Sequence, residues 1–211
     1  MHVGIKLLAG GIVLAGLGYL FVTSLETTRA EPYEVNRATL RGWELVLDRA
    51  PGASATTPLL ALRTDIALVT GLFRQVFLRT MESMSTPTAT TLPIVLRGEF
   101  ETGLAGRMSP DELLAAARDA GLEAAEHTPK CLVHQRVSEP GSTRQAYGLL
   151  MASSAFERFR AQLGAASGGS FVADAVPPVI LVGASDDAFT RWLPFKAAES
   201  DCVAPITITG A

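Results

Sequence analysis

CLVHQRVSEPGSTRQAYGLLM, residues 131–151, contains two runs with strand composition, Cys131–Val137 and Arg144–Met151, joined by SEPGST. The proline and glycine of the joint suit a hairpin turn, so the two runs are expected to pair antiparallel. Moving upstream, Pro93–Phe100 (PIVLRGEF) reads as another strand. Ser109-Pro110-Asp111-Glu112 follows, with a capping serine, a proline at the first helical position and a glutamate at the third, opening a helix that Gly121 ends. Downstream, Ser154–Glu157 reads as a second capping box. Phe156, Phe159 and Leu163 then share one helical face before Gly164 stops the run. After the tract AASGGS, Val179–Val182 is a short apolar run that fits a buried strand.

The order across residues 93–183 is therefore strand, helix, strand, strand, helix, strand, the split βαβ arrangement called ferredoxin-like. It is extended by a short helix, Asp186–Trp192, capped by Ser185 and stopped by Pro194, and by a last strand, Cys202–Thr209. The name describes topology only, because two cysteines cannot supply a four-thiolate cluster.

Residues 26–92 read as a connecting region. WELVLD (Trp43–Asp48) looks like a short strand and APGASATT like a turn. From Leu59 to Met84, apolar residues at Leu62, Ile66, Val69, Phe73, Val76 and Phe77 predict one long amphipathic helix, with Arg63, Arg74 and Arg79 outside the stripe. STPTATT, 85–91, is a linker by composition.

At the start of the chain, residues 7–25 (LLAGGIVLAGLGYLFVTSL) carry no charge between Lys6 and Glu26, about the run needed to cross a hydrocarbon core of roughly 30 Å as a helix. Lys6 lies on one flank, and Glu26, Arg29, Glu31 and Glu34 on the other. The expectation is a single-pass protein with residues 1–6 cytoplasmic and residues 93–211 an exported α+β domain. A cleaved signal peptide with Thr28-Arg29-Ala30 at its cleavage site is the competing reading. Gly4, Gly11, Ala15 and Gly18 form a small-residue stripe of the kind that admits a neighbouring membrane helix.

The chemistry is sparse. HTPKCLVH (His127–His134) gathers two of the three histidines and one of the two cysteines. A helix would bring His127, Cys131 and His134 together as ligands. Pro129 and the strand-like residues after it favour an extended chain instead, in which Cys131 and His134 face opposite ways. A metal or haem site at His127 and Cys131, joined by Cys202, is the alternative reading. For an exported domain the expected fate of Cys131 and Cys202 is a disulfide. Asp186 and Asp187 fit the first turn of a helix, where acids offset the dipole. The chain has no Gly-x-Ser-x-Gly elbow, His-Glu-x-x-His or phosphate loop, and AASGGS reads as a flexible connection. A net charge of -3 and a pI near 5.6 argue against nucleic acid as a partner.

No catalytic residue, metal ligand or cofactor is thus assigned. The expected function is that of a non-catalytic accessory or assembly subunit of a larger bacterial membrane complex, with the lipid bilayer and other membrane subunits as partners and the domain on the periplasmic side of the inner membrane. An anchor joined to a ferredoxin-like domain resembles, at the level of fold alone, the bitopic assembly proteins of secretion and pilus machines, without their coiled-coil heptads. An exported ligand-binding or enzymatic domain is the alternative.

Overall fold

The structure, a computed structural model, describes residues 28–210. Its strands are β1 (Tyr33–Asn36), β2 (Glu44–Leu47), β3 (Pro58–Thr64), β4 (Thr90–Leu96), β5 (Thr128–Glu139), β6 (Ser142–Ala152), β7 (Val179–Ala184) and β8 (Cys202–Thr209). Its helices are α1 (Ala67–Thr80), α2 (Arg97–Gly103), α3 (Pro110–Asp119) and α4 (Ser154–Ala166).

The strands form a five-stranded sheet in the order β1-β8-β5-β6-β7 and a three-stranded sheet in the order β2-β3-β4. The two curl around one core. Leu60, Leu62, Leu92 and Ile94 from the smaller sheet meet Leu132, Leu149, Ile180 and Val182 from the larger, with Leu72 and Val76 of α1 and Phe156 and Phe159 of α4 between. A second apolar cluster, including Val133, Leu150, Leu181, Trp192 and Phe195, covers the opposite face of β5–β7. The backbones of Ser85 and Ala184 exchange hydrogen bonds of 2.7 and 2.9 Å where the sheets approach.

The ferredoxin-like order is not formed. In the expected arrangement the strand at 93–100 would join the hairpin sheet, whereas β4 pairs with β3 and β7 pairs directly with β6. The cause lies in PLLALRT, residues 58–64. Leu59–Leu62 are buried on both faces of β3, so the run carries no period of two and merges with the apolar spacing of the helix that follows. Asp65 makes the break, its carboxylate accepting from Ala67 N at 2.8 Å where the strand ends and α1 begins. The expected single helix over 59–84 is therefore a strand and a shorter helix, and the strand gives β4 its partner.

The membrane-spanning reading of residues 7–25, and the stripe Gly4, Gly11, Ala15 and Gly18, fall outside the described residues. Among the described residues no helix is long and apolar enough to cross a membrane. The single-pass architecture is thus not part of the observed fold, which is α+β with a curled sheet.

Smaller corrections have local causes. Ser153, not Ser154, caps α4 by accepting from Phe156 N at 3.2 Å, and the helix runs through Gly164 to Ala166. Only a 3₁₀ turn, Phe189–Trp192, forms where a helix was expected from Asp186. Ser185 instead accepts from Gln145 N at 3.0 Å, and Asp186 closes a turn onto Ala188 N. AASGGS is a packed turn, not a loose connection: Ser167 is buried and accepts from Phe171 N, while Ser170 donates to the Gly103 carbonyl at 2.9 Å.

Candidate functional site

A cleft of about 380 Å³ opens where α1 ends above the face of the β5–β6 hairpin. The sheet supplies its floor. The turn pairs Glu139 with Ser142, so His134 lies opposite Tyr147 and Arg136 opposite Gln145, all on the face that carries Leu132 and Leu149 into the main core. The His134 and Tyr147 rings stack at 4.3 Å with an interplanar angle of 7°. Gln145 Oε1 accepts from His134 Nε2 and from Arg136, each at 3.2 Å.

The walls come from both ends of α1's surroundings. Tyr147 donates to Glu82 at 2.9 Å, and Arg29 lies 3.6 Å from the same carboxylate. Arg79 donates to the carbonyls of Glu31 and Pro32 and sits 4.0 Å over the Tyr33 ring, fastening residues 31–33 to the end of the helix. Met81, the residue that ends α1, holds a left-handed backbone (φ 54°) and is 71% exposed. A non-glycine residue held this way is a strained position. Val203, 43% exposed, adds apolar surface to the lining.

The charge states follow from burial. Desolvation, and after it the Glu82 carboxylate, raises Tyr147 above the ordinary phenol range. Burial also raises Tyr33, against the nearby Arg79. Burial lowers His134, against its hydrogen bond to Gln145. The two tyrosines and His134 are therefore neutral near pH 7. His134 and Tyr147 touch face to face, which gives no hydrogen-bonded relay between them of the kind general acid–base catalysis uses. The cleft presents stacked rings and guanidinium groups.

The residues of HTPKCLVH are dispersed. His127 is buried against Trp43, with ring centroids 5.0 Å apart, and its Nε2 donates to the Leu122 carbonyl at 2.8 Å. Cys131 lies in the second apolar cluster on the other face from His134 and is joined to Cys202, with Cα atoms 5.6 Å apart. Its sulfur is consequently not a free ligand. Among the described residues no group of three or more His, Cys, Asp or Glu side chains could hold a metal ion.

His127 and His134 both have pKa values lowered first by burial, so the unfolded chain binds more protons than the native one just below the ordinary histidine range. Stability present above about pH 6.5 is expected to fall as pH drops toward the lowered values. His127→Gln should flatten the dependence of Tm on pH between 7.5 and 5.5, and an unchanged slope in both His→Gln variants would refute this origin.

The chain matches no family model, no curated protein and no solved structure.

Proposed function

We propose that the chain is a non-catalytic assembly subunit of a larger complex on the exported side of a bacterial inner membrane, and that the cleft at the end of α1 receives a partner protein. The observation that carries this reading is the cleft's composition. Arg29 and Arg136 are of a residue type that dominates binding energy at protein interfaces, and with His134 and the edges of the buried rings of Tyr33 and Tyr147 they surround a recess that also carries exposed Val203. The neutral, stacked state of His134 and Tyr147 supports binding over chemistry. The Cys131–Cys202 bond supports an oxidising compartment.

Photo-cross-linking from the exported compartment tests it. A benzophenone side chain at Val203 should give an adduct with one defined protein, while the same probe at Glu101, on α2 and outside the cleft, should not. Arg136→Glu should reduce the Val203 adduct at least fivefold, on the order expected for loss of an interface arginine. Adducts that are equal at the two positions, or unaffected by Arg136→Glu, would overturn the reading.

A further inference from the structure

A second recess lies on the outer face of the three-stranded sheet, away from the cleft. The row Val46, Ala61 and Pro93 crosses β2, β3 and β4 in register, on the face opposite the core row Leu45, Leu62 and Leu92. Leu181 of β7 and Phe189 and Leu193 from the segment after it close over this row, leaving a slot of about 190 Å³. Ala61 and Pro93 are buried at its floor, Leu181 and Leu193 are buried on the side that closes over it, and Pro58, Pro87 and Ala89 also line it. Ala61 keeps the slot open, because any longer side chain at that point of the row would occupy it. The prolines make the walls stiff, so the space is preformed.

The polar groups at the slot differ in availability. Asp48 is already engaged: its carboxylate accepts from Ala50 N at 2.8 Å and lies 3.9 Å from Arg97. Arg63 is exposed and makes no ion pair or side-chain hydrogen bond among the described residues, although Glu44 stands opposite it on β2. Beside Arg63 in register on β4 is Thr91, whose hydroxyl is likewise unengaged. The slot thus offers an apolar interior with the available cation of Arg63 beside the Thr91 hydroxyl where β3 meets β4, while the hydroxyls of Thr57 and Thr190 line it elsewhere.

We propose that this slot binds a small apolar carboxylate, its hydrocarbon part against Ala61, Pro93, Leu181, Phe189 and Leu193 and its carboxylate at Arg63 and Thr91. A cavity of about 150 Å³ lined by Leu, Ile and Phe accepts benzene, so the observed volume suits one aromatic ring or a short branched chain. A guanidinium next to a hydroxyl donor selects an anion over a neutral group of the same shape. The inference is independent of the proposed partner cleft, with which the slot shares no lining residue.

Titration of the full chain with 4-phenylbutyrate and with its neutral analogue 4-phenylbutan-1-ol, by calorimetry and ligand-observed NMR, tests the assignment. The acid should bind saturably and more tightly than the alcohol. Arg63→Gln should weaken the acid about fivefold, the upper range for an exposed ion pair, and leave the alcohol unchanged. Ala61→Leu should abolish binding of both by filling the slot. Phe189→Ala, at the half-buried edge where folding is less at risk, should weaken both alike. The proposal is overturned if the wild-type chain binds neither compound, if acid and alcohol bind equally with Arg63→Gln without effect, or if neither Ala61→Leu nor Phe189→Ala changes binding. A short peptide ending in leucine that binds more than tenfold tighter than the acid would also overturn it, by showing that the slot is built for a polypeptide end.

Discussion

Replacing Arg160 by methionine is expected to lower the unfolding free energy by about 3–5 kcal/mol, the range for removing one partner of a buried ion pair. Arg160 is 1% exposed, in the middle of α4, and its guanidinium donates to the carbonyls of Ile94, Val172 and Ala173 and to Glu99 Oε1 at 2.7 Å. It also sits 4.7 Å over the Phe171 ring. One side chain therefore ties α4 to the end of β4, to α2 and to the turn before β7. Methionine matches much of its length, so the cost comes from a carboxylate and three carbonyls left without their donor. Glu99→Gln should be destabilising for the converse reason, although Glu99 also accepts from Leu96 N and glutamine can keep that bond. The double variant should lose less than the sum of the two, because the uncompensated charge is gone. Urea unfolding of the three variants measures this. A loss below about 1 kcal/mol for Arg160→Met, no larger than for an ordinary hydrogen bond, or strict additivity would show that the pair is not a unit.

Nothing in the sequence marks Arg160 as buried. It follows Phe159 in a helix whose apolar face was legible, and an arginine there reads as solvated until the carbonyls and the carboxylate that surround it are placed by three separate segments. Local features were more readable. Ser109 and Glu112 make both reciprocal bonds of the capping box, and the last strand occupies Cys202–Thr209 as its composition indicates. The cleft was half legible. A two-residue turn at Pro140-Gly141 fixes the pairs from Glu139↔Ser142 back to Cys131↔Leu150 and so places His134 against Tyr147 and Arg136 against Gln145. Tyr33 and Glu82 reach the same point only through the packing of α1, and their sequence distance from the hairpin hides them. The sheet order was not legible, because β3 is buried on both faces and carries no alternation to separate it from α1. Strand β1 was missed for a related reason: four residues are too few to show a period, and its pairing is with the far end of the chain, Ile206–Thr209.

Removing the bond between Cys131 and Cys202 should cost about 4 kcal/mol in the chain-entropy model, since it closes a loop spanning 71 residues of sequence. The two half-cystines hold β8 against β5, whose pairing is only three residues long, from Cys131↔Pro205 to Val133↔Cys202. That short ladder also carries β1, which among the described residues pairs with β8 alone. Loss of the covalent tie should therefore loosen β8 and β1 together, and with them Tyr33 and Val203 on two sides of the proposed partner cleft. Cys131→Ala/Cys202→Ala and reduced wild-type protein should show the same loss of stability, and hydrogen exchange should rise first in residues 33–36 and 202–209. Thiol labelling of denatured protein isolated from its native compartment should find no reactive thiol before reduction and two afterwards. Two thiols without reductant would remove the support for an exported domain, and a double variant within about 1 kcal/mol of wild type, well under the usual disulfide contribution, would show that noncovalent pairing already holds β8 in place.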